Sequence, residues 1–173
     1  MIKLTRILIA VGSVLVLAVV NYAIASKEGI KRSGQTIFLH LAPVDPRSLM
    51  QGDYMALRFA IAADIQLSVL KDADGPVPDL ASRSRWNEGK IDFASIVLDE
   101  RGVARLSDTA GAGTLRLRYR IRSQQIWLGT NAFFFEEGSA ERYAQARYGE
   151  FRLDLQSGEA VLVGLRDADL KLL

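Results

Sequence analysis

An uncharged segment of twenty residues lies between Arg6 and Lys27, near the start of the chain. Within it, residues 7–25 are apolar except for three small or polar side chains. As a helix rising about 1.5 Å per residue, this stretch is about 28 Å long, close to the roughly 30 Å hydrocarbon core of a bilayer. We therefore expect residues 7–25 to enter a membrane.

This segment fits either a cleaved secretory signal or a retained membrane anchor. The small-residue pattern Ala23-Ile24-Ala25 before Ser26 is typical of a cleavage site. However, the apolar run is longer than the roughly 7 to 15 residue core of a signal peptide, and polar residues can extend the same helix out of the membrane. The pattern favours an anchor over residues 7–25, between a short cytoplasmic tail, residues 1–6, and a linker, residues 26–34.

The orientation of the anchor is nearly balanced by charge. Lys3 and Arg6 precede the apolar segment, and Lys27, Lys31 and Arg32 follow it, so the positive-inside rule barely discriminates between the two orientations. Because only six residues precede the span, we expect a single-pass signal-anchor with residues 26–173 outside the cytoplasm. In a bacterium this is the periplasmic side of the inner (cytoplasmic) membrane, or the cell surface.

The composition excludes several kinds of functional site. The chain has no cysteine and one histidine, which excludes disulfides, thiolate metal sites, a cysteine nucleophile and a multi-histidine metal centre. Residues 7–173 carry 20 basic and 20 acidic side chains, so no basic domain is left for nucleic acid. We expect no cofactor, no bound metal and no nucleic-acid partner.

Alternating apolar and polar residues predict an α+β domain over residues 35–173, mainly antiparallel β with one or two short helices. The predicted strands are residues 36–41, 54–61, 91–98, 103–106, 114–122, 126–128, 150–155 and 160–165. Residues 91–98 and 103–106 are predicted to form a hairpin with Gly102 in its turn, and alternation in residues 54–61 places Met55, Leu57, Phe59 and Ile61 inward. Short helices are predicted at residues 62–70 and 138–147, and the breaker-rich residues 71–90, which include Trp86, predict a surface loop. A segment of about 150 residues is long enough to form one hydrophobic core, so we expect a single domain after the anchor.

One predicted strand, residues 114–122, separates an apolar face strictly from a basic one. The basic face carries Arg116, Arg118, Arg120 and Arg122. The simpler interpretation is a solvated face with carboxylates on the neighbouring strands. The alternative is contact with phosphate headgroups or with an acidic partner.

Two clusters of polar residues are candidate sites. The first surrounds a turn and contains Asp45, Arg47, Ser48, Asp53 and Tyr54; the second runs from Phe133 to Glu137 and through Glu141 and Tyr143 to Glu150. A turn network and helix capping are the simpler interpretations, because carboxylates accept backbone amides and are favoured at helix starts. Glu136, Glu137 and Glu141 could also act as acid/base groups, but no nucleophile or histidine accompanies them.

The first cluster belongs to a longer motif. Residues 52–59, Gly-Asp-Tyr-Met-Ala-Leu-Arg-Phe, resemble the signature of the GDYXXLXY family, with Phe59 where a tyrosine usually stands. Residues 41–51, 135–138 and 146–150 are also similar to that family, so the resemblance spans nearly the whole chain after the anchor. It implies a bacterial membrane-anchored protein of uncharacterised function, often encoded beside a multi-spanning membrane protein. The missing hydroxyl at position 59 argues against a role that needs a phenol there.

The resemblance implies a binding or structural site. Its residues are Asp45, Pro46, Arg47, Gly52, Asp53, Tyr54, Leu57, Glu136, Glu137, Tyr143, Arg147, Tyr148, Gly149 and Glu150. We expect an extracytoplasmic accessory or assembly subunit of a polytopic membrane protein. The alternative is a module that binds a small ligand or glycan in a pocket formed by Trp86, Trp127 and the aromatic residues 133–135.

A weaker similarity is to type I signal peptidases, in which a serine-containing segment precedes Gly-Asp on a membrane-anchored β-rich domain. Alignment on Gly52 places Val44 at or near the position of the nucleophilic serine, a substitution that would abolish the chemistry. A Ser/Lys hydrolase would instead need Ser48 as nucleophile and a desolvated Lys71 or Lys90 as base. An enzyme is therefore the least favoured interpretation, and we assign no catalytic residue.

Overall fold

The computed structural model describes residues 2–42, 50–51, 54–73, 89–109, 111–123 and 125–173. Its helices are α1 (Ile2–Ser33), α2 (Ala60–Ala73) and α3 (Ala140–Tyr143). Its strands are β1 (Gln35–His40), β2 (Met50–Gln51), β3 (Tyr54–Ala56), β4 (Ile91–Leu98), β5 (Ala104–Leu106), β6 (Leu115–Arg122), β7 (Gln125–Trp127), β8 (Ala132–Phe134), β9 (Tyr148–Leu153) and β10 (Ala160–Arg166). The α+β class, an apolar N-terminal helix followed by antiparallel sheets and a few short helices, is confirmed.

Helix α1 is long and apolar enough to cross a membrane. Its most apolar window, within Thr5–Ser33, has a mean hydropathy of 2.5, and none of that window is buried against the domain. This agrees with a single-pass anchor whose apolar side chains face lipid. The helix does not end with the apolar segment, because residues 26–33, which the sequence assigned to a linker, form its last turns.

The described strands form three antiparallel sheets, ordered β1-β9-β10, β5-β4-β6-β7 and β2-β3-β8. Two hydrogen bonds join the first sheet to the second. The amide of Phe38 in β1 donates to Gly102 O at 3.0 Å, and the amide of Arg118 in β6 donates to Gly158 O at 2.7 Å. The predicted hairpin of β4 and β5 is confirmed, with Gly102 at a φ of 78°, a conformation that favours glycine.

A single core cluster joins these sheets to α2, which contacts β1, β5 and β7. The alternation predicted for β1 and β6 is confirmed, since Ile37, Leu39, Leu117 and Ile121 are all buried. Helix α2 adds Ile65, which is also buried. Each such side chain contributes about 1.5–3 kcal/mol when it leaves water, so these inward faces hold the two sheets together.

Residues 54–61, predicted to form one strand, divide between β3 and the start of α2. The predicted inward residues Met55, Leu57, Phe59 and Ile61 are indeed all buried. Strand pairing stops at Ala56 because the chain then passes between sheets: the amide of Leu57 donates to Asn131 O at 2.7 Å, and Phe59 bridges to Leu41. Side chains of residues 54–61 therefore alternate between buried and more exposed positions although the segment is not one continuous strand.

The helix predicted over residues 138–147 is wrong in length, because α3 contains only four residues and its N-cap, Ser139, makes no side-chain capping bond. Beyond α3 the backbone joins the first sheet. The amide of Arg147 donates to Arg166 O, and Arg147 O accepts from the amide of Leu41, each at 2.8 Å. These sheet hydrogen bonds replace the helical ones that the local sequence favours.

Candidate functional site

A cleft of about 720 Å³ opens between α2, the end of β1 and the turn that joins β4 to β5. His40, Asp64, Ser68, Arg101 and Tyr148 are among the residues that line it. Its volume lies within the range of about 300–1,000 Å³ that is usual for small-molecule sites. This cleft therefore gathers the polar side chains of four separate segments into one candidate site.

His40 and Tyr148 adjoin each other because they are directly opposite in the antiparallel pairing of β1 with β9. Their rings meet edge to face, with centroids 5.0 Å apart and an interplanar angle of 85°. Arg101 Cζ lies 5.9 Å from the centroid of the Tyr148 ring, and Arg101 Nη2 donates to Ala168 O at 2.8 Å. An imidazole, a phenol and a guanidinium thus share one wall and can offer hydrogen bonds and positive charge to a polar ligand.

Asp99 fixes the turn beside this wall. Its Oδ1 accepts hydrogen bonds from the amides of Arg101 and Val103, both at 2.9 Å. The hydrogen bond from Val103 is the main reason that the pKa of Asp99 lies below its ordinary value, and the amide of Arg101 and the charge of Arg105 act in the same direction. The Asp99 carboxylate therefore organises the turn that carries Arg101.

Glu150 lies two residues beyond Tyr148 on β9. It is 6% exposed and is the one charged residue that is buried among the described residues. Its Oε2 accepts from Arg166 Nε at 2.7 Å and lies 2.5 Å from Arg166 Nη2, while Arg152 Nη2 lies 3.8 Å from its Oε1. Arg152 Nη1 in turn donates to Thr36 Oγ1 at 2.5 Å. The Glu150 carboxylate thus ties β9 to β10 through charge-assisted hydrogen bonds.

Gly149 lies between Tyr148 and Glu150 on β9 and faces the hydrophobic core. A Cβ atom there would lie 3.0 Å from ring atoms of Phe59 and Phe151 and 3.2 Å from Leu162. Phe59 meets Phe151 edge to face at 5.2 Å, so position 59 contacts the core rather than the cleft. Arg147 is exposed, and its Nη1 donates to Ala146 O at 3.1 Å. Of the predicted residues 147–150, only Tyr148 lines the cleft.

The second predicted cluster does not join this cleft. Glu136 and Glu137 are exposed and are not among the residues that line it. Tyr143 stacks on Phe135, with centroids 5.1 Å apart at 30°, and meets Phe133 at 5.1 Å and 63°. These aromatic side chains therefore pack on one another, and Trp127 lines a different cleft from the one beside His40.

The described part of the GDYXXLXY motif has two environments. Tyr54 pairs with Phe134 across β3 and β8, with ring centroids 5.8 Å apart, and the two residues are 36% and 75% exposed. Leu57 is buried in the core. The predicted site residues Asp45, Pro46, Arg47, Gly52 and Asp53 lie outside the described residues, as do Val44, Ser48 and Trp86.

His40, Asp64 and Arg101 were not predicted from the sequence as members of a site. They lie on β1, on α2 and in the turn between β4 and β5. They meet because the amide of Phe38 in β1 bonds to Gly102 of that turn and α2 packs on β1 and β5. The outward position of His40 on its predicted strand was the one available signal. Within the described ranges, no group of three or more histidine, aspartate or glutamate side chains is placed to hold a metal ion.

Comparison with known proteins places the chain in a family. A family model described as "GDYXXLXY protein" matches residues 16–165, which is most of the 173-residue chain. No curated protein and no solved structure matches the chain. The matched region begins within α1, includes Tyr148 and Glu150, and covers every strand described above except the last residue of β10. The chain belongs to the GDYXXLXY family.

Proposed function

We propose that this protein is a membrane-anchored accessory or assembly subunit of a polytopic membrane protein, with its β-rich domain on the periplasmic side of the bacterial inner membrane. The observation that carries the proposal is the attachment of α1 to the domain. A helix that served only to retain the protein at the membrane would need no more than a flexible linker.

The attachment is made by the last turns of α1. Ile30 is only 8% exposed, and the amide of Gly34 donates to Ile30 O at 2.8 Å. Lys27 forms an ion pair with Glu159, just before β10, and α1 contacts both β9 and β10. The membrane helix and the domain therefore hold a fixed relation, so the domain presents the same faces to any neighbour in the membrane.

Two exposed surfaces are suited to a protein partner. The apolar side chains of α1, from Ile7 to Ile24, have no covering element among the described residues, so a neighbouring membrane helix can reach this surface within the bilayer. The aromatic pair of Tyr54 and Phe134 is exposed on the domain, and aromatic residues are enriched at protein interfaces. Both surfaces support an accessory role, one within the bilayer and one outside it.

The proposal is tested by crosslinking the tagged full-length protein in the membranes of its own host and purifying the complex. We expect a stoichiometric polytopic membrane protein. Deletion of residues 1–25 removes both the helix surface and the membrane location, so a matched variant replaces residues 7–25 with polyleucine and keeps residues 26–33. Loss of the partner in this variant assigns the contact to α1, whereas loss in Phe134→Ser assigns it to the domain. Recovery of no partner with the native chain contradicts the proposal.

A second candidate function is the binding of a small polar ligand, and the cleft beside His40 favours it. The imidazole, phenol and guanidinium of that cleft converge within a volume suited to a small molecule. A thermal-shift screen of the detergent-solubilised full-length chain against small organic anions and sugars tests this function. We expect a stabilising ligand whose effect is lost in Tyr148→Phe or Arg101→Gln and kept in Arg142→Gln, on α3. A ligand shift that persists in both cleft variants argues against the cleft.

A further inference from the structure

The arginine row of β6 consists of Arg116, Arg118, Arg120 and Arg122, and the middle two have apolar side chains opposite them on the neighbouring strands. Arg118 stands opposite Phe93 of β4, and Arg120 stands between Ile91 of β4 and Trp127 of β7. The carboxylate expected beside this row comes from the segment just before β10 instead, since Arg118 Nη2 lies 2.8 Å from Glu159 Oε1. This sheet face combines guanidinium groups with aromatic and aliphatic side chains, the composition of protein surfaces that lie at the boundary between lipid and water.

Two of the guanidinium groups are oriented by aromatic rings. Arg116 Cζ lies 4.0 Å from the centroid of the Phe93 ring, and Arg122 Cζ lies 4.9 Å from that of Trp127. Phe93 itself is 41% exposed. A cation–π contact holds the position of an arginine without neutralising its charge, so both groups remain available to an anion.

A cleft of about 250 Å³ lies along this row. It is lined by Arg118, Arg120 and Arg122, together with Trp127 and Glu159. Three guanidinium groups and one carboxylate give these lining side chains a net charge of +2 at neutral pH. The cleft is therefore suited to a small anion, and arginine binds the oxygens of a phosphate group in a bidentate manner.

The contacts of Glu159 place this cleft beside the membrane. Lys27 is the first charged residue after the apolar segment of α1, so its ammonium group is expected at the level of the lipid headgroups. Lys27 and Arg118 bind the same oxygen, Oε1 of Glu159, the latter at 2.8 Å. The first guanidinium of the cleft therefore lies within a few ångströms of the lysine that marks the membrane surface.

We propose that this arginine cleft binds the phosphate group of anionic phospholipids in the leaflet from which α1 emerges. Charge complementarity supports this occupant, because basic clusters next to a membrane helix attract anionic lipid. The presence of Trp127 also supports a position of the cleft at the level of the lipid headgroups, since tryptophan is enriched at the interface between lipid and water. The inference goes beyond the proposed function, because it needs no protein partner.

The test uses the full-length chain with the substitution Trp86→Phe, so that Trp127 is the remaining tryptophan. The protein is reconstituted into nanodiscs of zwitterionic lipid held by a tryptophan-free scaffold protein, with or without added anionic phospholipid that carries a nitroxide on its headgroup. A zwitterionic lipid with the same nitroxide is the lipid control. We expect stronger quenching of Trp127 fluorescence by the anionic spin-labelled lipid. Equal quenching by the two labelled lipids would overturn the proposal.

Charge variants assign the effect to the cleft. Changing Arg118, Arg120 and Arg122 to glutamine should abolish the preference for anionic lipid. A matched control changes Arg58, Arg142 and Lys171, all exposed, and removes the same number of charges; a loss as large in this control would contradict a specific cleft. Thermal unfolding verifies the fold of each variant, and Arg120→Gln alone, with a partial loss expected, replaces the triple variant if that variant is unfolded.

A third arm distinguishes lipid from soluble phosphate. Inorganic phosphate is added to the protein in zwitterionic nanodiscs, and Trp127 fluorescence is measured. A response to inorganic phosphate combined with indifference to anionic lipid would overturn the lipid assignment in favour of a soluble ligand. Because the nanodiscs contain no protein of the host membrane, each outcome is independent of whether a membrane partner is recovered from the host.

Discussion

Lys27 at the end of the apolar segment of α1 forms an ion pair with Glu159, which lies 132 residues later in the chain. The same carboxylate oxygen binds Arg118 of β6 at 2.8 Å. One carboxylate thus joins the membrane helix, the β9–β10 turn and the arginine row. This junction explains how a domain built from non-local strand pairs can hold a fixed position on a single helix.

Glu159→Gln should loosen α1 on the domain without unfolding it. Because Lys27 and Glu159 are partly exposed, we expect a loss of only about 0.5–1 kcal/mol in the local docking free energy. Hydrogen exchange of the amides of residues 28–33 in the detergent-solubilised protein should accelerate several-fold. Glu137→Gln, an exposed carboxylate on another segment, should leave that exchange unchanged. Identical exchange in both variants would show that the ion pair does not hold the helix.

Glu150→Gln should destabilise the domain itself. The substitution removes the charge that Arg166 contacts through Nε and Nη2 in a buried setting, and hydrogen bonds to charged groups contribute about 1.5–3 kcal/mol. We expect a loss of that size in the free energy of unfolding, measured by thermal or denaturant unfolding. Glu136→Gln, at an exposed site, should change it by less than about 0.5 kcal/mol. An unchanged free energy of unfolding in Glu150→Gln would mean that the ion pair adds no net stability.

Gly149→Ala should strain the core. Its new methyl group would lie 3.0 Å from ring atoms of both Phe59 and Phe151, and overpacking of a core costs about 1–3 kcal/mol. We expect a lower melting temperature for Gly149→Ala than for Gly111→Ala, where a Cβ meets nothing within 4 Å. Equal melting temperatures would show that the rings move aside freely.

Asp99→Asn should lower the free energy of unfolding near neutral pH, and this loss should become smaller at acid pH. The pKa of Asp99 is lowered in the folded state, chiefly by the amide of Val103, so the unfolded state binds more protons as the pH falls. The stabilisation by the Asp99 carboxylate is therefore fully present above about pH 3.9, the ordinary pKa of an aspartate, and is lost as the pH falls below that value. Unfolding of both proteins between about pH 3 and pH 7 measures this effect.

Asp154 provides an independent test of the same direction of pH dependence. The amide of Gln156 and the hydroxyl of Ser157 lower its pKa, so Asp154→Asn should show the same decline of its effect towards low pH. The two sites lie on different turns, and we expect their effects to add. A difference between the native protein and either variant that stays constant across the pH range would contradict the linkage.

Sequence periodicity predicted those parts of the fold that depend on one face being buried. Alternation identified β4 and β6, and the buried residues Met55, Leu57, Phe59 and Ile61 were predicted although their segment changes from strand to helix. Periodicity reports which side chains face the core, but it does not report when the backbone leaves a strand. The short helix α3 illustrates this limit, because hydrogen bonds to distant strands ended it.

The candidate site depended on information that local patterns do not contain. Tyr148 was predicted from the resemblance, but its neighbour His40 is 108 positions earlier and meets it only through the register of β1 with β9. The cross-strand neighbours of the arginine row depend on register in the same way. Alternation specified that Arg118 points away from the core, whereas the pairing of β4 with β6 determined that Phe93 stands opposite it.

The most direct test of the accessory role is the size of the species that contains the full-length protein after gentle solubilisation of native host membranes. Size-exclusion chromatography followed by mass spectrometry makes this measurement. We predict co-elution with a polytopic membrane protein at a constant ratio across the peak, at a mass well above the 19.1 kDa of this chain plus its detergent. Elution of the protein as a lone species would contradict the proposed function.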